Sequence, residues 1–304
     1  MNQKQLQKKH SKLLQEATDI VTEAYSIYYA SVREFLNKTL TKNGKVDPQF
    51  TQMYVESGLE SRRRQLEKAL QEIADKKLGE GIELAFLFFY AANPDADMNK
   101  YNSYTVKQET VTLLMSTANN TEQRVKQVVK KVYQDKLLSD IAAEREKQGM
   151  AVSQRPSEVS SAQFNEQLDK EGFVGIVDKA GRHWKPDVYA KMVVRTKMMQ
   201  AQIAMQQEQG RLNGIDLAYI SGPHVDNPCE GWLGVIISMN GLTAGFTTYD
   251  QARETLEVFH PNCQHYLIPL ENGIADAPGW VISNTEYHYG MDLSDYTEIT
   301  DPTL

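Results

Sequence analysis

Apolar residues recur at three- and four-residue steps from Leu6 to Leu40, through Leu13, Leu14, Ala17, Ile20, Val21, Ala24, Ile27, Tyr28, Val32, Phe35 and Leu36. That period predicts one long amphipathic helix. Asn43-Gly44 and Asp47-Pro48 end it in a turn. A second helix is expected through Phe50, Met53, Tyr54, Leu66, Leu70 and Ile73, stopping near Gly79 and Gly81. Ile82–Ala92 is apolar nearly all round, which predicts a buried helix closed by Asn93-Pro94-Asp95. Tyr104–Thr117 continues the helical pattern, and Asn120 with Gln123 resembles an N-cap and capping box opening a further helix over Thr121–Gln148. That helix should bury Val125, Val128, Val129, Val132, Leu137, Leu138 and Ile141 and expose Lys126, Lys130, Lys131, Lys136 and Arg145.

The pattern changes at Gly149–Ala162, a small, polar, Pro-containing run that predicts a linker. Beyond it, Phe173–Val177 and Arg182–Trp184 flank a hairpin turn at Asp178–Gly181. Pro186 opens a helix over Asp187–Leu212, because its missing N–H would be unpaired in a first turn anyway. Tyr189, Met192, Val193, Thr196, Met199 and Ile203 share one face of it, and Gly210 and Gly214 mark its end. Strands follow at Leu217–Ile220, Val235–Met239 and Tyr266–Ile268, with an Asn240-Gly241 turn and a helix from Thr248 or Asp250 to Val258. The fold class is therefore α+β: an all-α helical region over 1–148, a linker over 149–162, a small α+β domain over 163–270 and a tail over 271–304.

Charge sharpens the last boundary. The tail holds Glu271, Asp276, Glu286, Asp292, Asp295, Glu298 and Asp301 and no Lys or Arg, so it carries the whole formal charge of −7. Punctuated by Trp280, Tyr287, Tyr289 and Tyr296, it reads either as a disordered solubilising segment or as an extended strap for a basic partner. Phosphate and carboxylate repel, which disfavours DNA there. Basic runs at Lys4–Lys12 and Lys126–Lys136 are the candidate nucleic-acid contacts, with a solvated helix face as the plainer reading. No secretion signal is expected, and Ile82–Ala92 falls short of the ~20 apolar residues that span a bilayer.

Both cysteines and three of the six histidines fall between Gly222 and Leu270. His260, Cys263 and His265 form H-x-x-C-x-H around a turn opened by Pro261, and Cys229 follows Pro228 in a second turn. Cys229, His260, Cys263 and His265 could close a Cys₂His₂ site around a structural zinc, with His224 and Asp226 as spare donors. Buried thiols beside hydrogen-bonded imidazoles, a disulfide or a catalytic thiol are the other readings. Catalytic vocabulary is otherwise missing: there is no G-x-S-x-G, H-E-x-x-H, phosphate-cradling Gly-rich loop or G-x-G-x-x-G. Arg182, His183 and Arg195 could face a site, although a solvated arginine is the default.

Gly181-Arg182-x-Trp184, Tyr189-x-x-Met192-x-x-Arg195-Thr196, Ser221 to Cys229 with Gly231, Asn240-Gly241 and His260-Pro261-Asn262-Cys263 occur in that order over about residues 165–270. This succession resembles the phage minor capsid proteins of the Mu-type head morphogenesis group. The resemblance implies a non-enzymatic, low-copy protein of the phage head, made in the bacterial cytoplasm. It further implies association with the portal or major capsid protein and assistance in head assembly, DNA packaging or delivery. The family's closing turn commonly reads HPxCRC; here Gln264 and His265 take the last two places, and imidazole can replace thiolate as a ligand. The competing functions are a metal-dependent or Cys-His hydrolase or nuclease, and a nucleic-acid-binding module.

Overall fold

The computed structural model describes residues 3–92, 103–152, 155–174, 176–177, 181–182 and 184–295. It is α+β, a helical N-terminal region followed by a small strand-containing C-terminal region. The order is α1 (Gln3–Leu40), β1 (Thr41–Lys42), β2 (Lys45–Val46), α2 (Gln52–Ile73), α3 (Gly79–Ala92), α4 (Tyr104–Lys147), α5 (Ser161–Gln167), α6 (Pro186–Asn213), β3 (Leu217–Ser221), β4 (Ile236–Ser238), α7 (Tyr249–Glu254), β5 (Tyr266–Pro269) and α8 (Gly279–Tyr289). Contacts divide the chain into two units. One comprises Met1–Asp19, Ile73–Thr110 and Lys191–Leu304; the other comprises Ile20–Glu72 and Val111–Ala190.

The second unit is a helical assembly held by polar contacts as well as by its apolar stripes. The Tyr25 hydroxyl donates to the Leu114 carbonyl at 2.6 Å, and burial pushes its pKa well above the ordinary phenol value. The buried Glu122 carboxylate is flanked by Arg63 at 3.0 Å and Lys126 at 2.6 Å, so a charge that would be costly alone is matched on two sides. Arg62 lies over the Phe35 ring at 4.1 Å from its centroid and donates to the Ser31 carbonyl. β1 and β2 pair through the Asn43-Gly44 turn, both of whose residues have positive φ. Val46 N–H donates to Val159 and Ser161 N–H to Gly44, so the irregular stretch before α5 is bonded to this hairpin.

The first unit is built on a three-stranded antiparallel sheet in the order β4-β3-β5, with Tyr219 opposite both Ile236 and Ile268. All five residues of β3 are buried, as expected of a central strand packed on both faces. Met199 and Ile203 of α6 pack into one core cluster with Ala218, Ile220, Ile237, Val258, Phe259 and Leu267. α8 covers the β4 edge through side chains. Thr285 Oγ1 accepts from Ile236 N–H at 3.0 Å, and the Tyr289 hydroxyl donates to the Ile236 carbonyl at 2.9 Å. Backbone groups that would otherwise face outward from an edge strand are thereby satisfied.

Several expectations need correction. The helix does not stop at Gly79 or Gly81: α2 passes through a π-helical turn at Ala74–Leu78 into α3. A Cβ on Gly81 would lie 3.2 Å from Met198 Cγ, so this glycine serves close helix packing rather than termination. Asn120 caps nothing, because α4 is continuous, and Thr121 instead donates back to the Thr117 carbonyl at 2.9 Å. Leu137, Leu138 and Ile141 are 60%, 53% and 47% exposed, whereas the four valines before them are buried. α7 ends at Glu254, four residues early; Leu256 and Phe259 follow with positive φ and turn the chain so that Val258 and Phe259 are buried. Residues 271–295 are neither a disordered tail nor an extended strap, since α8 forms there and Val281 and Thr285 are buried. Tyr296, Glu298 and Asp301, the 93–95 turn, Asp178–Ala180 and His183 lie outside the described residues. Trp184 N–H donates to the Ile176 carbonyl at 2.8 Å across that turn.

His10 of α1 is buried, with Nε2 2.9 Å from Gln202 Oε1 and its ring 4.8 Å from that of Tyr266. An amide oxygen only accepts, so Nε2 carries a proton in this contact. Burial pushes its pKa below 6.5, partly offset by the Gln202 bond. The unfolded chain therefore binds this proton first as pH falls. The stabilisation is complete above about 6.5 and is lost as pH drops towards the folded value. Urea unfolding at about pH 7.5 and about pH 5.5 should show lower stability at the acid end, with a smaller difference in His10→Gln.

Candidate metal centre

Two turns of the sheet unit bring the thiols together. The first is a 3₁₀ turn, Pro228–Trp232, entered through Asn227, whose Oδ1 accepts from Cys229 N–H at 2.9 Å. That cap fixes the direction of the cysteine just inside it. The second closes with Cys263 N–H donating to the His260 carbonyl at 3.0 Å and places Asn262 in the left-handed region at φ 71°. Asparagine is among the few side chains that tolerate this conformation. α6 holds the turn: Thr196 Oγ1 accepts from Asn262 N–H at 2.9 Å, and Arg195 Nη1 donates to Asn262 Oδ1 at 3.1 Å. Arg195 is thus a clamp on the turn, not a solvated arginine.

Within this frame Cys229 Sγ lies 2.8 Å from His260 Nε2 and 4.0 Å from Cys263 Sγ. The ligand atoms of Cys229, His260 and Cys263 all lie within 4.8 Å of one another. His260 Nδ1 is 2.9 Å from the Pro261 carbonyl. A carbonyl only accepts, so Nδ1 carries the proton and Nε2 offers its lone pair to the sulfurs. Burial, followed by the neighbouring Cys263 sulfur, pushes the Cys229 thiol up to about 12. A metal entering here would have to displace the Cys229 proton.

The donor set fits zinc. Ligand distances of about 2.3 Å place two sulfurs of a tetrahedral site roughly 3.8 Å apart, close to the 4.0 Å found here. Two thiols and one oriented imidazole are ligands this ion prefers. His265 Nδ1 is 3.4 Å from Cys263 Sγ, outside the common sphere of the other three. The His265 ring is 2% exposed, and its Nε2 is buried without a hydrogen-bond partner. Burial pushes its pKa down, against the opposing pull of Glu230. Gly222 makes room for that ring, since a Cβ there would stand 2.8 Å from His265 Cδ2.

The spare donors are elsewhere. His224 is exposed and paired with Glu230 at 2.5 Å, and Asp226 is exposed. Arg182 lies over the Trp184 ring at 5.6 Å from its centroid. As a catalytic pair, Cys229 and His260 have the contact but not the access, with Cys229 only 1% exposed. On the basic faces, Lys126 and Lys136 pair with Glu122 and Asp140, and Lys12 with Glu16, while Lys8, Lys9, Lys130 and Lys131 are exposed. No described helix is long and apolar enough to cross a membrane.

One organising residue escaped the sequence reading. Asp216 is 7% exposed, and its carboxylate accepts from the N–H groups of Asn240 at 2.8 Å, Leu242 at 3.2 Å and Thr243 at 2.9 Å, and from the Ser238 hydroxyl. It nucleates the loop that carries Asn240-Gly241. The available signal was an acid directly preceding the apolar run Leu217–Ile220, a position where it must find donors or be expelled.

No curated protein and no solved structure matches the chain. Residues 161–294, which contain both cysteine-bearing turns, Asp216 and α8, match the family model described as phage minor capsid protein 2. Over this stretch the chain is similar to phage minor capsid proteins.

Proposed function

We propose that the protein is a low-copy, non-enzymatic component of a phage head, of the Mu-type head morphogenesis kind, which associates with the portal or major capsid protein and assists head assembly, DNA packaging or delivery. The observation that carries this reading is the family match over 161–294. The burial of Cys229 beside His260 supports a structural role for this contact over a hydrolytic one. The helical region is the proposed docking element for the virion partner, and the exposed Lys8, Lys9, Lys130 and Lys131 are the remaining candidates for contact with packaged DNA. Co-expression with the portal protein of the same phage should yield a complex that survives size-exclusion chromatography. Failure to co-purify, together with absence from assembled heads, would remove the assignment.

The same reading gives the Cys-His-Cys group a structural zinc. Cys229, His260 and Cys263 would supply three ligands, and His265, two residues beyond Cys263, the fourth. Its Nδ1, 3.4 Å from Cys263 Sγ, supports its inclusion. Bound there, zinc would supply no reaction chemistry; it would tie the 3₁₀ turn to the turn that α6 clamps.

A further inference from the structure

α8 is fixed to the sheet by one face and turns the other to solvent. Val281 and Thr285 are buried, and Asn284 Nδ2 donates to the Leu233 carbonyl at 2.9 Å. Trp280 and Tyr287 stand seven residues apart and so share a side of the helix. Trp280 packs edge-on against Tyr219, with ring centroids 5.9 Å apart, and over Gly234, where its ring leaves no room for a Cβ. It nevertheless stays 48% exposed, and Tyr287 is 91% exposed. An exposed aromatic is unremarkable alone; here the charges around the pair add to it. Glu271 and Asp276 precede the helix and Asp292 and Asp295 follow it, all four exposed, and Glu286 directly precedes Tyr287. No Lys or Arg occurs over 271–295, and burial pushes the pKa of His288 below 6.5, so it adds no positive charge at neutral pH. Tyr287 also lies in the last turn of α8, where the helix dipole contributes partial negative charge.

We infer that this face of α8 is a docking surface for an arginine-rich segment of another protein. The two rings supply the contact area, and the carboxylates select the occupant. A guanidinium stacks on an indole or phenol ring while its N–H groups pair with carboxylates, a combination that a neutral or acidic segment cannot make. Phosphate is repelled by the same charges, which excludes nucleic acid as the occupant. Trp280 is already held by Tyr219 and Gly234, so little of its freedom is lost when a guest settles on it. Neither the metal nor the minor-capsid reading is needed for this surface to work.

Full-length protein is titrated into a fluorescently labelled oligoarginine peptide, with oligoglutamate as the control, and binding is followed by anisotropy. Wild type should bind oligoarginine and not oligoglutamate, with an affinity that falls steeply between about 0.1 M and 1 M salt. Tyr287→Ala should weaken binding by about two- to fivefold. The double change Glu271→Gln/Asp295→Asn should also weaken it, whereas Glu23→Gln/Glu34→Gln, which removes two exposed acids of α1 and gives the same net charge, should leave it unchanged. Absence of binding at low salt, wild-type affinity in Tyr287→Ala, or equal losses in the two double variants would overturn the inference. So would salt-sensitive self-association of the free chain that Tyr287→Ala abolishes, because a second copy would then be the occupant.

Discussion

Chelation of zinc should lower the thermal midpoint of the sheet unit by roughly 10 °C, and Cys263→Ala should reproduce most of that loss. The size follows from linkage. Binding free energies of structural zinc sites are on the order of 10 kcal/mol and enter folding directly, while about 3 °C accompanies each kcal/mol in a domain of this size. Much of the binding energy is offset by deprotonating the Cys229 thiol, which burial pushes up to about 12. The chelator and the substitution act on one interaction, so their effects should not add. Differential scanning fluorimetry with and without chelator, on wild type and Cys263→Ala, checks this. If thiol and imidazole merely pack together, the substitution removes a small buried group at a cost of about 1–2 kcal/mol and the chelator does nothing.

Asp216→Ala is expected to cost about 3–5 kcal/mol, more than any single surface substitution in the chain. The carboxylate serves three backbone N–H groups and the Ser238 hydroxyl in a buried loop, and its removal leaves those donors without their acceptor. Asp216→Asn keeps the shape but turns one acceptor into a donor facing other donors, so it should recover only part of the loss. Glu254→Ala, on an exposed position of α7, should stay within about 0.5 kcal/mol. Urea unfolding of the three variants gives the comparison. Near-equality of Asp216→Ala and Glu254→Ala would show that the loop does not depend on the carboxylate.

What could be read from the sequence was what is encoded locally. The period of α1, Pro186 at the head of α6 and the apolar runs of β3, β4 and β5 are each set by neighbours in the chain, and those elements stand close to where the pattern put them. The failures share a cause. Gly79 and Gly81 look like stop signals until Met198, more than a hundred residues away, packs against Gly81. Asn120 and Gln123 have capping spacing, but tertiary packing keeps α4 helical through them. Leu137, Leu138 and Ile141 continue an amphipathic period beyond the point where their helix has a partner, so they are exposed. The acidic composition of 271–295 concealed a helix whose threonine and tyrosine complete the edge of β4.

The candidate site divides in the same way. Residue types and spacing, H-x-x-C on one turn and a cysteine after proline on another, pointed to three donors that the fold brings together. Spacing could not place His265, whose direction depends on the strand that begins immediately after it and on the gap left by Gly222. Nor could it show that the resemblance motif containing Arg195 and Thr196 serves the histidine-cysteine turn. That link is two hydrogen bonds from α6 to Asn262.

The central proposal, that Cys229, His260 and Cys263 with His265 hold a metal that ties the sheet unit together, is tested most directly by the metal content of protein purified without added zinc or chelator. Elemental analysis should find one zinc per chain in the wild type and a small fraction of that in Cys263→Ala. A folded wild-type protein with no zinc, unable to take it up when zinc is supplied, would contradict it.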